Sequence, residues 1–165
     1  MHIELCGYKV LIDDEDYEKL PKTKCNVKIR RNGYIYFYYR KYSHSKFLDG
    51  DKNCYECIFL HRFLCGIKYR DKEIVDHING NTLDNRKCNL RICTNAENLR
   101  NQKRSKRNKT GYKGVSFDKN RKKYKACIRV NGIGIFLGRF NNPIVAYEAY
   151  CEASKKYHGE FGRTE

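Results

Sequence analysis

Short apolar runs, each bounded by turn-forming residues, follow one another along the first hundred residues of the chain. Residues 8–12 (YKVLI) have the composition of a strand, and the acidic stretch after them predicts a turn or a short helix. Residues 25–42 give two β-rich runs that break at Asn32-Gly33, which is a hairpin signal. The apolar segment 57–67 (CIFLHRFLCGI) favours a short helix.

Two further strands and a helix are predicted in the segment that follows. The β-branched run 74–78 (IVDHI) ends at an Asn-Gly-Asn turn sequence, and residues 89–93 (NLRIC) resume a strand. Thr94 and Glu97 match a capping box, which predicts that a helix starts there. The predicted order is therefore strand, loop, strand and helix.

The last third of the chain has a pattern that predicts three strands followed by a helix. The three strands are predicted at residues 112–117 (YKGVSF), 123–130 (KYKACIRV) and 133–140 (IGIFLGRF). The second of them alternates apolar with mostly basic positions. Asn142, followed by a proline, predicts a helix N-cap. An apolar stripe follows at helical spacing: Ala146, Ala149, Tyr150, Ala153 and Tyr157. We expect a three-stranded antiparallel sheet packed on one helix, with its other face basic.

These elements predict an α+β protein built from two modules. The 165 residues include 35 Lys or Arg and 19 Asp or Glu, a formal net charge of +16. Twelve of the basic residues and one acidic residue lie in 101–130. The polar run inside that stretch predicts a basic linker at 102–110, between a module at 1–101 and a module at 111–165. Such a charge fits a polyanionic partner, and we expect nucleic acid.

Cysteine usage and hydropathy bear on the compartment. The nine cysteines are an odd number, and the N-terminal residues lack the pattern of a signal peptide, which predicts reduced thiols inside a cell. No apolar run reaches about 18 residues, so we expect no membrane partner.

One segment carries a recognisable nuclease pattern. Asp76-His77 is followed by Asn89 twelve residues after the histidine and by Asn98 nine residues later, inside the frame LDNR…NLR…EN. From Leu60-His61-Arg62 to Asn101, the segment resembles the HNH endonuclease motif, the ββα-metal site, in the form found in phage-type homing endonucleases. The resemblance implies a phage, virus or mobile-element origin, and hydrolysis that leaves 5′-phosphate and 3′-hydroxyl ends.

The residue types suit that chemistry. Phosphodiester hydrolysis needs a base for the attacking water, and an imidazole that is neutral near pH 7, here His77, can supply it. Asp76 and Asn98 offer the oxygen ligands that one divalent cation, Mg²⁺ or Mn²⁺, prefers. The resemblance implies that Asn89 fixes the loop presenting His77. It also implies a supporting or phosphate-facing role for two residues, His61 and Arg62.

A structural zinc is the alternative use of the cysteines. Some HNH proteins carry a four-cysteine zinc, and Cys54 and Cys57 have the spacing of its first pair. The second pair would need Cys93 and a cysteine three residues later, where this chain has Ala96. Cys88 with Cys93 gives an irregular substitute. We therefore expect no structural zinc.

The segment after the linker resembles the plant AP-two/ERF type of DNA-binding domain. YKGV, the alternating second strand, the LG-x-F ending and the AYEAY helix match it. The resemblance implies a sheet laid into the major groove of duplex DNA, with Ser116, Cys127 and Phe136 departing from the plant pattern. Together with the basic linker, it gives these candidate DNA contacts: Lys103, Arg104, Lys106, Arg107, Lys113, Ser116, Lys125, Arg129, Phe136 and Arg139.

The two resemblances predict a metal-dependent, homing-type DNA endonuclease with a C-terminal domain that holds the duplex. Two alternatives remain open: a sequence-specific DNA-binding regulator with an inert nuclease site, and a restriction endonuclease with a short target. The intact Asp-His-Asn set favours an enzyme. Because one active site handles one strand, a monomer would nick and a dimer would cut both strands; the oligomeric state stays open.

Overall fold

A computed structural model describes residues 1–42, 55–68 and 70–164 of the chain. Contacts between Cα atoms divide the chain into two compact units, Met1–Thr94 and Asn95–Glu165. Small antiparallel sheets are combined with helices, which confirms the predicted α+β class. Within the described ranges, no helix combines the length and apolarity that crossing a bilayer requires. The division into modules at 1–101 and 111–165 stays a prediction.

The first unit is built from short strands around two short helices. In chain order the elements are β1 (His2–Leu5), β2 (Tyr8–Leu11), α1 (Asp14–Tyr17), β3 (Cys25–Ile29), β4 (Ile35–Tyr42), β5 (Tyr55–Phe59), α2 (Leu60–Leu64), β6 (Ile74–His77) and β7 (Leu90–Cys93). The strands form a β1–β2 hairpin, an antiparallel sheet in the order β3-β4-β5, and an antiparallel β6–β7 pair.

The helix predicted over residues 57–67 is partly wrong. Its first three residues belong to β5, which pairs with β4 so that Phe59 lies opposite Tyr38, and α2 starts only at Leu60. Side chains that are β-branched or aromatic, such as Ile58 and Phe59, favour a strand when a neighbouring strand is available to pair with. The tertiary partner therefore overrides the local pattern.

The main core of the first unit lies among the β1–β2 hairpin, one face of the β3-β4-β5 sheet and α2. Val10, Phe37 and Leu60 are each at most 1% exposed there. Burying one such side chain stabilises the fold by about 1.5–3 kcal/mol, so this cluster fixes the hairpin on the sheet. A smaller cluster consists of Val75 of β6, Leu90 of β7 and Ile67, which follows α2.

The second unit has the architecture that the sequence predicts for the C-terminal module. In chain order the elements are α3 (Asn95–Arg100), β8 (Val115–Asp118), β9 (Lys123–Val130), β10 (Ile133–Phe140) and α4 (Pro143–His158). The sheet order is β10-β9-β8, with both neighbouring pairs antiparallel. α3 begins directly after Thr94, as the capping box predicts, and Asn142 caps α4 by accepting from the Ile144 amide at 2.8 Å.

The buried stripe of α4 differs from the predicted one at its C-terminal end. Ala146, Tyr150 and Ala153 pack on the sheet as expected, but Ser154 is buried as well and Tyr157 is 39% exposed. The chain after α4 returns over the helix, so that a Cβ on Gly162 would lie 2.5 Å from the Ser154 hydroxyl oxygen. This close approach buries a small polar residue that a stripe of apolar positions does not predict.

Candidate active site

His77 lies at the end of β6 and is 5% exposed. Its Nε2 is 3.2 Å from the side-chain oxygen of Asn85, whose amide nitrogen donates to the Thr82 carbonyl at 3.1 Å. Because that bond orients the Asn85 oxygen toward the ring, Nε2 carries the proton and donates it. The other ring nitrogen, Nδ1, is then the one able to accept a proton.

Burial keeps the two neighbouring histidines of this site neutral near pH 7. It lowers the pKa of His77 below the ordinary 6.5, although the Asn85 bond and the charges of Asp76 and Asp84 act in the opposite direction. It lowers the pKa of His61 to about 3, with the His77 ring contributing. The two rings lie 5.4 Å apart between centroids. A neutral imidazole is the form that can act as a base.

Asp76 pairs with an arginine across the β6–β7 ladder. Its Cα lies opposite that of Arg91, whose Nε and Nη2 donate to Oδ2 at 3.2 and 3.0 Å. The side chains are 8% and 11% exposed, so the pair is shielded from water. A buried carboxylate requires such a cationic partner, and Arg91 holds Asp76 at the strand end.

The predicted metal ligands, Asp76 and Asn98, are both oxygen donors. Within the described residues, no group of three or more His, Cys, Asp or Glu side chains is placed to hold a metal. Asp76 lies in β6 of the first unit and Asn98 is a half-buried residue of α3 in the second unit, so their joint binding of one cation stays a prediction. A carboxylate and an amide oxygen suit a hard divalent cation whose remaining ligands are water and phosphate.

Asn89 fixes the loop between β6 and β7. Its side-chain oxygen accepts from the Asn79 amide at 2.9 Å, and its side-chain nitrogen donates to the Asp84 carbonyl at 2.7 Å. Its own carbonyl accepts from the Ile78 amide at 2.9 Å. One buried side chain therefore joins the turn that follows His77 to the far end of the loop.

The same loop is docked on β2. The amide of Leu11 donates to the Leu83 carbonyl and the amide of Asn85 donates to the Leu11 carbonyl, each at 2.8 Å. Next to them, Arg86 donates Nε and Nη2 to the two carboxylate oxygens of Asp84 at 2.8 Å each, which lowers the pKa of Asp84. Asn85 therefore contacts His77 from a loop that is fixed both by Asn89 and by its hydrogen bonds to β2.

Arg62 of α2 has a structural role in the first unit. Its guanidinium donates to backbone carbonyls of the connection between α2 and β6: Lys68, Asp71 and Glu73. These bonds fold the connection toward α2 and thereby fix the start of β6. The supporting role that the resemblance implies for Arg62 stays a prediction.

Five of the candidate DNA contacts share the open face of the second sheet. The register places Ser116, Lys125 and Arg139 in one cross-strand row, with Arg129 and Phe136 on the same face. The Arg139 guanidinium lies 4.9 Å and the Lys125 ammonium 6.0 Å from the Phe136 ring centroid. Arg139 also pairs with Asp118 at 3.1 Å. The face is basic, with an exposed aromatic ring among its cations.

Lys113 has a different environment from those five. Its ammonium donates to the carbonyls of Arg100 and Gln102 at 2.7 Å each and of Arg163 at 3.0 Å. An ammonium has three protons, so its donors are directed to its own chain. Burial and the charge of Arg163 lower the pKa of Lys113 to about 8. Lys113 therefore joins the end of α3 to the C-terminus of the unit.

The linker candidates are exposed: Lys103, Arg104, Lys106 and Arg107. Among the cysteines considered for zinc, Cys54 lies outside the described residues, whereas Cys57 is half-buried, Cys88 is exposed and Cys93 is buried. Cys57 belongs to β5 and Cys93 to β7.

Comparison with known proteins bears directly on this site. A model of the HNH endonuclease family matches residues 64–100, which include β6, its loop, β7 and α3. Protein 3.8 of Escherichia phage T7 is 33% identical over 90 residues, which cover 54% of this chain and 73% of the phage protein. The chain belongs to the family of T7 protein 3.8 and carries an HNH endonuclease domain. No solved structure matches it.

Sequence reasoning found the strand end of the HNH domain but missed two of its residues. Asn85 lies inside the LDNR frame, where no role is assigned to it, and Arg91 lies opposite Asp76. The signal for Arg91 is the strand register, because pairing IVDH antiparallel with LRIC places an arginine beside the aspartate. The family match ends at residue 100, so the AP-two/ERF resemblance stays a prediction.

Proposed function

We propose that the protein is a metal-dependent DNA endonuclease in which His77 activates the attacking water. The observation that carries the proposal is the buried, neutral imidazole whose Nε2 proton is directed to Asn85. Nδ1 is then the nitrogen that takes a proton from water as the phosphodiester is attacked. This imidazole lies one residue from a buried carboxylate, within an HNH endonuclease domain.

Asp76 and Asn98 are the residues that would hold the divalent cation, Mg²⁺ or Mn²⁺. When bound, such a cation stabilises the negative charge that develops on the phosphate and on the leaving 3′ oxygen. Arg91 keeps the Asp76 carboxylate in place at the strand end. Asn89 and Asn85 act on His77, the first by fixing the loop and the second by fixing the tautomer.

The C-terminal sheet and the basic linker would hold duplex DNA. The open sheet face presents Lys125, Arg129 and Arg139 beside the exposed ring of Phe136, which suits contact with phosphates and base edges in a groove. We assign Lys113 a structural role there, because its donors are directed to three carbonyls of its own unit. The phage relative favours a phage origin, and the resemblance of the segment to the phage-type motif favours the homing-type branch.

The test is nicking of supercoiled plasmid with Mg²⁺ or Mn²⁺ by the wild type and by His77→Ala, Asp76→Ala and Asn98→Ala. We expect cation-dependent nicking by the wild type and decreases of at least about 100-fold in each variant, the scale of a general acid–base contribution. His2→Ala is the matched control, since His2 is an exposed histidine of the same unit. Duplex binding by His77→Ala should remain.

A wild type that binds duplex DNA but never nicks it would overturn the proposal and favour the DNA-binding regulator. Mapping cleavage sites on random DNA separates the homing type from a short-site restriction enzyme, because a homing enzyme needs a long target. The ratio of nicked to linear product shows whether one strand or both are cut.

A further inference from the structure

The β3-β4-β5 sheet has a second face that the core does not use. Phe37 and Tyr39 of β4 point into the core, so the alternation of a strand places Tyr36, Tyr38 and Arg40 on the opposite face. The register extends this face across all three strands: Tyr36 lies opposite Lys28 of β3, and Tyr38 lies between Asn26 and Phe59.

Three exposed cations lie over aromatic rings on this face. The Arg30 guanidinium is 5.1 Å from the Tyr36 ring centroid, the Arg40 guanidinium 5.9 Å from that of Tyr38, and the Lys28 ammonium 6.0 Å from that of Phe59. We call these residues the cationic face: Lys28, Arg30, Tyr36, Tyr38, Arg40 and Phe59. In the described parts of the three strands, the acidic residue is Glu56, whose register partner Lys41 lies on the other side of the sheet.

The cationic face continues into the candidate active site. The Tyr36 ring centroid lies 6.4 Å from that of His77, and the His61 ring lies 5.4 Å from both. The Phe59 ring is 5.7 Å from that of His61. A polyanion seated along these cations would therefore reach the imidazole that we assign as the base.

We propose that the cationic face binds backbone phosphates of the DNA strand that enters the active site. The proposal rests on the proposed nuclease function and adds to it a second DNA contact, in the first unit. The cations match the charge of a phosphate backbone, and the face is continuous with His77. Bound DNA would contact the first unit through this face and the second unit through its basic sheet.

The aromatic rings hold the cations in place. A guanidinium or ammonium over a ring is attracted by the ring quadrupole, by about 0.5–1 kcal/mol at an exposed site. Each of the three rings has such a cation near it. The ring centroid of Phe59 also lies 6.3 Å from that of Tyr36 and 5.8 Å from that of Tyr38. Cations that are ordered before binding lose less side-chain entropy when a phosphate arrives.

The experiment measures the salt dependence of duplex binding in a His77→Ala background, so that no cleavage occurs. The test protein adds Lys28→Gln, Arg30→Gln and Arg40→Gln, and the control adds Lys41→Gln, a neighbouring lysine on the opposite side of β4. The measured quantity is the slope of the log binding constant against the log salt concentration. Each phosphate that the protein no longer neutralises should reduce the magnitude of this slope by about 0.9, so that of the triple variant should fall by between about 1 and 3. A slope equal to that of the control would overturn the proposal.

Two further measurements keep the result independent of folding and of catalysis. Tyr38→Leu should weaken binding several-fold while Tyr38→Phe, which keeps the ring under Arg40, should not; equal affinities would contradict the role of the ring. Circular dichroism and thermal melting establish that each variant is folded. If the wild type fails to nick but the triple variant has a reduced slope, the proposed catalysis fails and the DNA contact stands. If the wild type nicks and the slope is unchanged, the DNA contact fails alone.

Discussion

Asn85 accepts a hydrogen bond from Nε2 of His77 at 3.2 Å and is itself oriented by donating to the Thr82 carbonyl at 3.1 Å. The tautomer of the histidine is thus determined by a loop that is docked on β2 through Leu11. The catalytic competence that we propose for His77 therefore depends on the N-terminal hairpin as well as on the HNH segment.

Replacing Asn85 should impair cleavage without removing the base. Asn85→Ala leaves the His77 ring without its acceptor, and we expect kcat to fall about 10- to 100-fold, as for other residues that orient a site histidine. Asn85→Asp places a negative charge at Nε2, which favours the imidazolium and raises the pKa of His77. Because the base must be neutral, the acid limb of the pH–rate profile should move to higher pH. Asn120→Ala, an exposed asparagine of the turn between β8 and β9, is the control; an unchanged profile in Asn85→Asp would contradict the assignment.

Removing Arg91 should make the stability of the protein dependent on divalent cations. Arg91→Met leaves the buried Asp76 carboxylate without the guanidinium at 3.0 Å, a change that costs about 3–5 kcal/mol for a buried pair. A cation bound at Asp76 would supply the missing positive charge, so Mg²⁺ or Mn²⁺ should raise the Tm of Arg91→Met more than that of the wild type. Adding Asp76→Asn should abolish this difference. Equal metal effects in the wild type and Arg91→Met would show that the cation does not use Asp76.

His61 should make the first unit sensitive to mild acid. Its pKa is lowered from 6.5 to about 3, so the unfolded chain takes up the proton before the folded one. The free energy of unfolding should therefore be unaffected by His61 above pH 6.5 and should fall as the pH drops from 6.5 toward about 3. Urea denaturation of the wild type and of His61→Phe, without added metal, measures this effect. The difference in pH dependence between the two proteins gives the contribution of His61 together with its coupling to the neighbouring His77 ring; identical curves would contradict the shift.

The sequence predicts the second unit better than the first because its pattern is local. Strands β9 and β10 coincide with the runs 123–130 and 133–140, where a two-residue turn sets the register as far as Phe136, before it shifts at Gly138. In the first unit, β1 pairs with β2 although no sequence signal marks it, and β5 pairs with β4 although its residues also suit a helix. Those elements depend on contacts that are distant in sequence, which a local pattern does not contain.

The candidate site shows the same limit. The spacing of Asp76, His77 and Asn89 predicts a strand end and a loop, and the structure has both. The partner that orients His77 follows from the docking of a loop on β2, and the partner of Asp76 follows from the β6–β7 register. Asn85 and Arg91, which orient other side chains, are thus found only from three-dimensional contacts. Asp76 and His77, to which we assign the chemistry, are marked by the sequence motif.

A methyl group at Gly114 should destabilise the second unit strongly. Gly114 has a φ of +75°, and a Cβ there would lie 2.0 Å from Cδ2 of the Tyr150 ring, which is buried against the sheet. Gly114→Ala therefore combines backbone strain with overpacking, and we expect destabilisation by about 3 kcal/mol or more. Gly132→Ala is the matched control, because its φ is +82° but a Cβ there would meet nothing within 4 Å. Scanning calorimetry should show destabilisation by about 1 kcal/mol for the control; equal effects in the two variants would mean that the Tyr150 contact is not the cause.

Replacing Lys113 should change the stability of the protein, whereas replacing Lys125 should change its DNA binding. Lys113→Met removes the donor to three carbonyls, which we expect to lower the free energy of unfolding by about 2–4 kcal/mol. The slope of log binding constant against log salt should stay as in the wild type, because the same phosphates are neutralised in both proteins. Lys125→Met, on the open sheet face, should leave stability within about 0.5 kcal/mol and reduce the slope by about 0.9. A reduced slope with unchanged stability in Lys113→Met would return that lysine to the DNA-binding surface, because its ammonium would then have to leave the carbonyls when DNA binds.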